Sequence, residues 1–334
     1  MKRCCQEVPE FEDPVVYRGP DPIQHFLEAL LARGENYIRS TFKPLNMSPR
    51  DEAAFNSATT CHLCAEHLGD ERARDHCHVC GDFRGAAHPN CNLSARVSKD
   101  VTVLFHNLRK YDGHLIMQQM GTLLKARGLN LECVAKEMED YMAFVVRLTT
   151  DKVSWRLRFV DSLAFLPASL EKLAGNLPKD KMVALKQFTK HPELLCQKGF
   201  YPYDAVTGPE IFDHKGLLPI KDFYNSLKKE ELSEKNYQHC QRVFQMHGFK
   251  TFGQFHDLYL LVDVLLLADV FEEFRDFALL NYALDPVHYF TLPSFSWDAL
   301  LKYTKVELEL LEDPDMYQFF TAGIRGGISV ITNR

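Results

Sequence analysis

The stretch from Cys61 to Cys91 sets the tightest limit on how this chain can fold. It reads Cys61-His62-Leu63-Cys64, then Asp75-His76-Cys77-His78-Val79-Cys80, then Arg84-Gly85-Ala86-Ala87-His88-Pro89-Asn90-Cys91-Asn92. The segment is too small and too polar for a core of its own, so something besides burial must hold it. Two Cys-x-x-Cys pairs and one His-x-x-Cys pair supply the close ligand pairs that pinch a tetrahedral zinc ion. Disulfides are the competing use of the ten cysteines. Residues 1–12 lack the apolar core of a secretory signal, and no run approaches the roughly 18 apolar residues of a membrane span. An intracellular location is therefore expected, where thiols serve metals more often than disulfides. Two ligand sets remain open: a plain structural ribbon of Cys61, Cys64, Cys77 and Cys80, or a site of Cys61, Cys64, His88 and Cys91.

At 334 residues the chain can hold two domains, or one domain with an insertion. With 46% hydrophobic and 25% charged residues and a formal net charge of -6, it is no polycation, and any nucleic-acid surface must be local. Residues 15–17 read as a short strand. Asp21-Pro22 opens a helix with Ile23, Phe26, Leu27, Leu30 and Leu31 on one face, and residues 39–56 read as a connector.

The apolar run 101–105 is a strand that ends in a polar cluster and delivers Asp112 at the start of a helix over 114–127. Residues 131–135, 141–148 and 153–160 read as further strands of a mixed sheet. The last ends in Asp161-Ser162-Leu163 before a helix over 168–177. Residues 178–232 form a long excursion rich in Pro, Gly, Lys and aromatics, and 234–247 is helical. Residues 255–271 make a helix apolar on nearly every face, which must then be buried. Tyr259 and Asp263 lie one turn apart on it, and a carboxylate there is costly unless paired or metal-bound. Residues 281–293 read as a turn region, followed by a helix over 296–303 with Trp297 and Leu300 packed inward. Near the end, Arg325-Gly326-Gly327 permits close approach of backbone to a phosphate.

These segments carry a family resemblance. Asn107-Leu108-x-x-Tyr111-Asp112-Gly113 after a strand resembles the second exonuclease motif of family B DNA polymerases of the protein-primed branch. Ser162-Leu163 resembles their primer-end motif, and Tyr259-x-x-x-Asp263 their third exonuclease motif. Gly326-Gly327 resembles the aromatic-x-Gly-Gly element that touches the template, with Ile324 in place of the aromatic. The resemblance implies that Asp112 and Asp263 bind magnesium or manganese and that Tyr259 orients the attacking water. It likewise implies that Asn107, Tyr111, Ser162, Leu163, Arg325, Gly326 and Gly327 contact DNA. Two elements of that pattern are not found. No convincing Asp-x-Glu strand precedes residue 100, Glu10-Phe11-Glu12 standing in a poor context. The palm expected after Gly327 does not appear before Arg334, so nucleotide transfer by this polypeptide alone is not expected.

The second ligand set is the one that resembles the recombination endonuclease VII branch of the His-Asn-His nucleases. There zinc uses Cys61, Cys64, His88 and Cys91, with Cys77 and Cys80 as competitors. Asp75 and Asn92 would then hold magnesium, His76 would act as general base and His78 would contact the scissile phosphate.

The expected class is α/β: a ribonuclease H-like 3′–5′ exonuclease domain, a mixed sheet with flanking helices, carrying an inserted ββα-metal zinc module. The expected divisions are an N-terminal strand, helix and connector over 1–56, the zinc module over 57–98, the exonuclease-like domain over 99–285, and a linker over 286–334. The whole looks like the N-terminal part of the polymerase of Polinton or Maverick-type elements. Its partners would be single-stranded or branched DNA and, in the intact family, a terminal protein primer and deoxynucleotides. No membrane is implied, and the location would be nuclear. The alternatives are a zinc-containing structure-specific endonuclease and a non-catalytic nucleic-acid-binding protein.

Overall fold

Pro22 fixes the first turn of α1 (Pro22–Ser40), and the periodic residues Leu27, Leu31 and Ile38 are buried beneath it. The computed structural model describes residues 12–40, 44–78, 80–94, 99–109, 112–137, 140–151, 153–227 and 229–324. Residues 15–17 are not a strand, because no partner strand reaches them. Instead Tyr17 stacks on His25 with ring centroids 3.9 Å apart and donates its hydroxyl to Pro20 O.

The expected connector contains α2 (Pro49–Ser57), opened by a capping box in which Ser48 and Asp51 satisfy each other's backbone N–H. Phe55 of α2 is buried with Cys61, Leu68, Ala86 and Ala87, and Met47 packs on the same cluster. The cysteine-rich module therefore takes in α2, upstream of position 57. Its hairpin pairs β1 (Ala73–His76) antiparallel with β2 (Phe83–Ala87), and α3 (Pro89–Ser94) follows.

The main sheet is mixed, in the order β3-β6-β5-β4. β3 (Asp100–Phe105) runs parallel to β6 (Val153–Asp161), with Phe105 opposite Asp161. β4 (Leu131–Glu137), β5 (Asp140–Thr150) and β6 form an antiparallel meander. Between β3 and β4 runs α4 (Asp112–Ala126), whose Ile116, Met120 and Leu124 bury one face of the sheet together with α1 and Phe144, Trp155, Leu157 and Phe159. From Leu157 to Asp161 every residue of β6 is buried, so both faces are covered there. The second face meets Phe165 and Phe271 through Val160. Arg158, 2% exposed, pins that side: it contacts Asp100 at 3.3 Å and donates to Val287 O and Tyr289 O at 3.2 Å each.

The helix expected over 168–177 is α5 (Leu170–Asn176); the excursion holds the short helices α6 (Val183–Phe188) and α7 (Pro192–Leu195), and then comes α8 (Glu234–Met246). They pack on α9 (Phe252–Tyr282) through Phe255, Val262, Leu265 and Leu266. Buried Asp269 of α9 accepts from Ala184 N at 2.8 Å and Leu185 N at 3.0 Å, which caps α6. The expectation that α9 is enclosed on every side is corrected within 255–271: Val264 is 62% and Leu260 39% exposed, so part of the helix surface there stays uncovered. α9 also runs into the expected turn region, and α10 (Leu292–Thr304) begins earlier than expected, after Thr291. Phe295 and Ala299 pack on Ala278 while Trp297 and Leu300 face outward, the reverse of their expected placement. α11 (Pro314–Gly323) completes the described chain. The fold is thus a mixed α/β structure with a mixed sheet and flanking helices.

The contact of α1 with the sheet yields a test. A methyl group added at Gly34 would come within 2.5 Å of Trp155 Cη2, and Trp155 is fixed by its indole N–H on Thr150 Oγ1 at 3.0 Å. Alanine gains about 1 kcal/mol of helix propensity over glycine, but overpacking a rigid ring costs about 1–3 kcal/mol. Gly34→Ala is therefore expected to lower the denaturant midpoint. An unchanged or raised midpoint would show that Trp155 yields.

Candidate metal centre and nucleic-acid interface

Cys61 and Cys64 are brought together by a tight turn in which Ala65 takes φ 65°, Ala65 N donates to Cys61 O and Cys61 N to Glu66 O, both at 2.8 Å. β2 runs straight into His88, and the first turn of α3 adds Cys91. One donor atom from each of Cys61, Cys64, His88 and Cys91 lies within 4.8 Å of all the others. His88 Nδ1 is 3.5 Å from Cys64 Sγ and 3.7 Å from Cys91 Sγ. Its Nε2–H donates to His67 O at 2.9 Å, which leaves the Nδ1 lone pair for an ion.

The thiols are strongly unlike one another. Burial pushes Cys61 up, but the N–H groups of Cys64, His88 and Leu63 and the Cys64 side chain outweigh it and bring the thiol down to about 6. Burial and the neighbouring Cys64 and Cys61 push Cys91 up to about 11. Three sulfurs crowded together cannot all ionise without a cation between them. The set fits a metal ion, and its softness and tetrahedral count suit zinc. Among the described residues Cys77 and Cys80 are not part of this group, so the geometry favours the second ligand set. They belong to the turn between β1 and β2, where Cys77 N donates to Asp82 O at 2.9 Å and Gly81 N to Cys77 O at 2.7 Å.

Beside this centre the hairpin presents the expected Asp-His-x-His residues. Asp75 is 2% exposed near the end of β1. Arg84 donates to its Oδ1 at 2.6 Å. Oδ2 lies 2.8 Å from His62 Nε2 yet accepts no aligned hydrogen bond. A buried carboxylate oxygen that faces an imidazole nitrogen without an aligned hydrogen bond is a donor that a hard cation can use. Asn92 stands on α3, which packs against β1, and its N–H bonds His88 O at 2.9 Å. The rings of His76 and His78 meet edge to face at 4.6 Å. Burial, His76 and Arg84 hold His78 below its ordinary range, so its ring is neutral at pH 7. Sequence reasoning overlooked His62 and Arg84, although both lie inside the motif it singled out.

At the other site, the C-terminal ends of β3 and β6 lie side by side. Asp161, 1% exposed, accepts from Asn107 N at 2.8 Å, Leu163 N at 3.0 Å and Arg109 N at 3.4 Å. Asn107 sits at φ 74°, the left-handed region that asparagine tolerates. Ser162 is wholly buried and donates to Phe105 O at 2.7 Å, so its hydroxyl ties strand ends together, while Leu163 is half-buried. Asp112 opens α4, and burial and the charge of Asp161 raise its carboxyl. Tyr111, Arg325, Gly326 and Gly327 lie outside the described residues.

On α9 the Tyr259 hydroxyl is 2.5 Å from that of Tyr203, and its ring stacks on Tyr201 at 4.6 Å. Burial and the Asp263 charge hold the Tyr259 phenol far above its ordinary range. Asp263 Oδ2 is 3.5 Å from Lys198 Nζ, its Oδ1 is buried without a partner, and burial raises its carboxyl against the pull of Lys198 and Tyr259. Lys198 was another residue that sequence reasoning passed over. It also lines a groove of about 500 Å³ with Tyr201, Tyr203, Phe223, Asn225 and Asn236. The charge that raises Asp112 is that of Asp161, whereas Asp263 feels Lys198 and Tyr259.

The sequence model of the family described as DNA polymerase type B, organellar and viral, matches residues 94–334. The chain belongs to this polymerase family. A function tied to DNA polymerase follows, with DNA and nucleotides as the family's partners. The match begins just past Cys91, so the metal centre stands outside it. No curated protein and no solved structure matches the chain. Among the described residues no helix is long and apolar enough to cross a membrane.

Two measurements probe these sites. The purified chain is expected to bind one equivalent of zinc by metal analysis. Cys61→Ser should lose it, whereas Cys77→Ser and Cys80→Ser should retain it, and retention in Cys61→Ser would overturn the ligand set. For Asp263 the folded-state pKa is raised, so the cost of ionising it appears as pH rises from about 3.8, the ordinary aspartate value. Asp263→Asn should therefore stabilise the metal-free chain at pH 7, with a gain that shrinks as pH falls towards that value and is gone below it. A loss of stability at pH 7 would show that the Lys198 contact outweighs burial.

Proposed function

We propose that the chain is a DNA-binding part of a protein-primed family B DNA polymerase serving a mobile or viral element in the nucleus, and that its cleavage chemistry lies in the zinc module. The observation that carries this reading is the Cys61, Cys64, His88 and Cys91 cluster, with its donors within 4.8 Å, set against a hairpin bearing Asp75, His76 and His78. The β1-β2-α3 order is that of an endonuclease VII-like ββα-metal module with structural zinc. Magnesium or manganese held by Asp75 and Asn92 would supply Lewis-acid activation of a phosphodiester. His76 would accept the attacking water's proton, and neutral His78 would donate an N–H to a phosphate oxygen.

The exonuclease-like region is read as a ribonuclease H-like scaffold of impaired activity. Among the described residues no strand bearing Asp-x-Glu precedes β3, and Asp112 and Asp263 have separate surroundings. Its role is to hold single-stranded DNA along Asn107, Leu163 and the Lys198 groove. A terminal protein primer and deoxynucleotides would be partners of the intact polymerase.

The test is cleavage of labelled branched and single-stranded DNA in magnesium by the zinc-loaded chain, beside His76→Ala and Asp263→Ala. The unmutated chain and Asp263→Ala are expected to cut, and His76→Ala to lose about 10²-fold or more, the ordinary weight of a general base. Cutting abolished by Asp263→Ala would instead locate the activity in the exonuclease-like region. Binding without any cutting would make the chain a non-catalytic DNA-binding protein.

A further inference from the structure

His62 stands between two of the zinc-binding thiols, yet its side chain belongs to the neighbouring hairpin. Its backbone N–H donates to Ala86 O at 3.0 Å, which fastens the Cys61–Cys64 turn to β2. Its ring lies over Gly85, where a Cβ would come within 2.6 Å of the imidazole Cγ. Gly85 is the cross-strand partner of Asp75, so the ring reaches across the bare position to place Nε2 at 2.8 Å from Asp75 Oδ2. Arg84 holds the other carboxylate oxygen at 2.6 Å. Asp75 is thereby clamped between a residue of the hairpin and a residue of the metal-binding turn, with Oδ2 buried and lacking an aligned hydrogen bond.

We infer that His62 is a positioning residue that carries the occupancy of the cysteine centre to the Asp75 carboxylate, so that the hairpin's divalent-cation site is formed only when that centre is filled. The inference deepens the nuclease reading of the hairpin and rests on it. The physical basis is geometric. The turn from Cys61 to Cys64 has two fastenings, its hydrogen bonds to neighbouring backbone and the ion its thiols would share. With the ion in place the turn is rigid and the His62 ring is one wall of the pocket around Oδ2. Without it the turn is held by its backbone hydrogen bonds alone, the His62 ring loses its fixed place, and the carboxylate is left to Arg84, which neutralises it. Gly85 is required by the same arrangement, since any side chain there would displace the ring.

Manganese serves as the probe, its free concentration read by electron paramagnetic resonance during titration of the full chain. The zinc-loaded unmutated chain is expected to bind manganese, and His62→Ala to bind it about tenfold or more weakly while keeping its zinc, the usual effect of losing an outer-shell partner. His62→Ala should fall to the affinity of the zinc-free unmutated chain. His62→Gln, whose side-chain N–H can reach Oδ2, should recover most of the loss, a rescue that mere packing would not give. Equal manganese affinity in His62→Ala and the unmutated chain would overturn the proposal, as would equal affinity with and without zinc.

Melting of the zinc-loaded unmutated chain, His62→Ala, Asp75→Asn and the double variant decides the contact independently of any bound manganese. Coupled residues predict a double variant no less stable than the worse single one, and additive losses would overturn the proposal. Manganese binding that depends on His62 without any DNA cleavage would sink the nuclease reading and leave the positioning role standing.

Discussion

The carboxylate of Asp161 is the point on which the main domain turns. It is buried at the end of β6, where an ionised group without partners would cost several kcal/mol. Among the described residues no side-chain cation pairs with it; instead it gathers the backbone N–H groups of Asn107, Arg109 and Leu163. Those three groups belong to the two loops that leave the parallel pair β3 and β6. The acceptor thus fixes both loops at once and sets where α4 begins. It also explains Asp112, whose raised pKa reflects burial beside a charge that is already committed. The loop that carries Asn107, expected to contact DNA, is in this chain also part of the device that closes the top of a sheet.

The cysteine-rich module solves the opposite problem, that of too little apolar surface. Its buried side chains of any size are Phe55 and Leu68, each contributing about 1.5–3 kcal/mol. A structural zinc ion contributes about 10–16 kcal/mol to a segment of this kind, so an ion of that type at the cysteine centre would outweigh the core. This ranking accounts for the distribution of glycine and cysteine there. Gly85 is bare so that His62 can cross the hairpin, and the thiols lie where the turn, the end of β2 and the start of α3 converge.

Much of this was legible in the sequence, and the failures have physical causes. The four strands of the sheet, α4 and α8 followed from periods of two and 3.6, because each buries one stripe against a broad partner. α2 was readable in principle from Ser48-Pro49-x-Asp51, but a helix with one buried residue has almost no apolar period to notice. The enclosure of α9 was wrongly expected because composition reports how apolar a helix is and not how many neighbours arrive to cover it. Cys-x-x-Cys spacing could not separate the two ligand sets, since both pairs pinch an ion equally well. Tertiary placement separates them, with His88 and Cys91 arriving at Cys61 and Cys64 while Cys77 lies in the turn between β1 and β2. Ser162 looked like a hand for DNA, but its hydroxyl is consumed by Phe105 O, a use that no local pattern announces.

The two sites are also bound to each other by chain length. α3 ends at Ser94 and β3 starts at Asp100, so six Cα–Cα steps of about 3.8 Å separate them, a reach of roughly 20 Å. The first residue of β3 is locked in place by Arg156, which donates to both oxygens of Asp100 at 2.7 Å, and by Arg158 behind it. A tether that short places the hairpin and the sheet on the same stretch of any bound DNA, at an effective concentration in the millimolar range or above. For a chain with net charge -6, which has no general attraction for a polyanion, that proximity would do what a basic surface would otherwise have to do. On the proposed function, single-strand contacts too weak to hold DNA alone would become useful once the cysteine-rich module had engaged it.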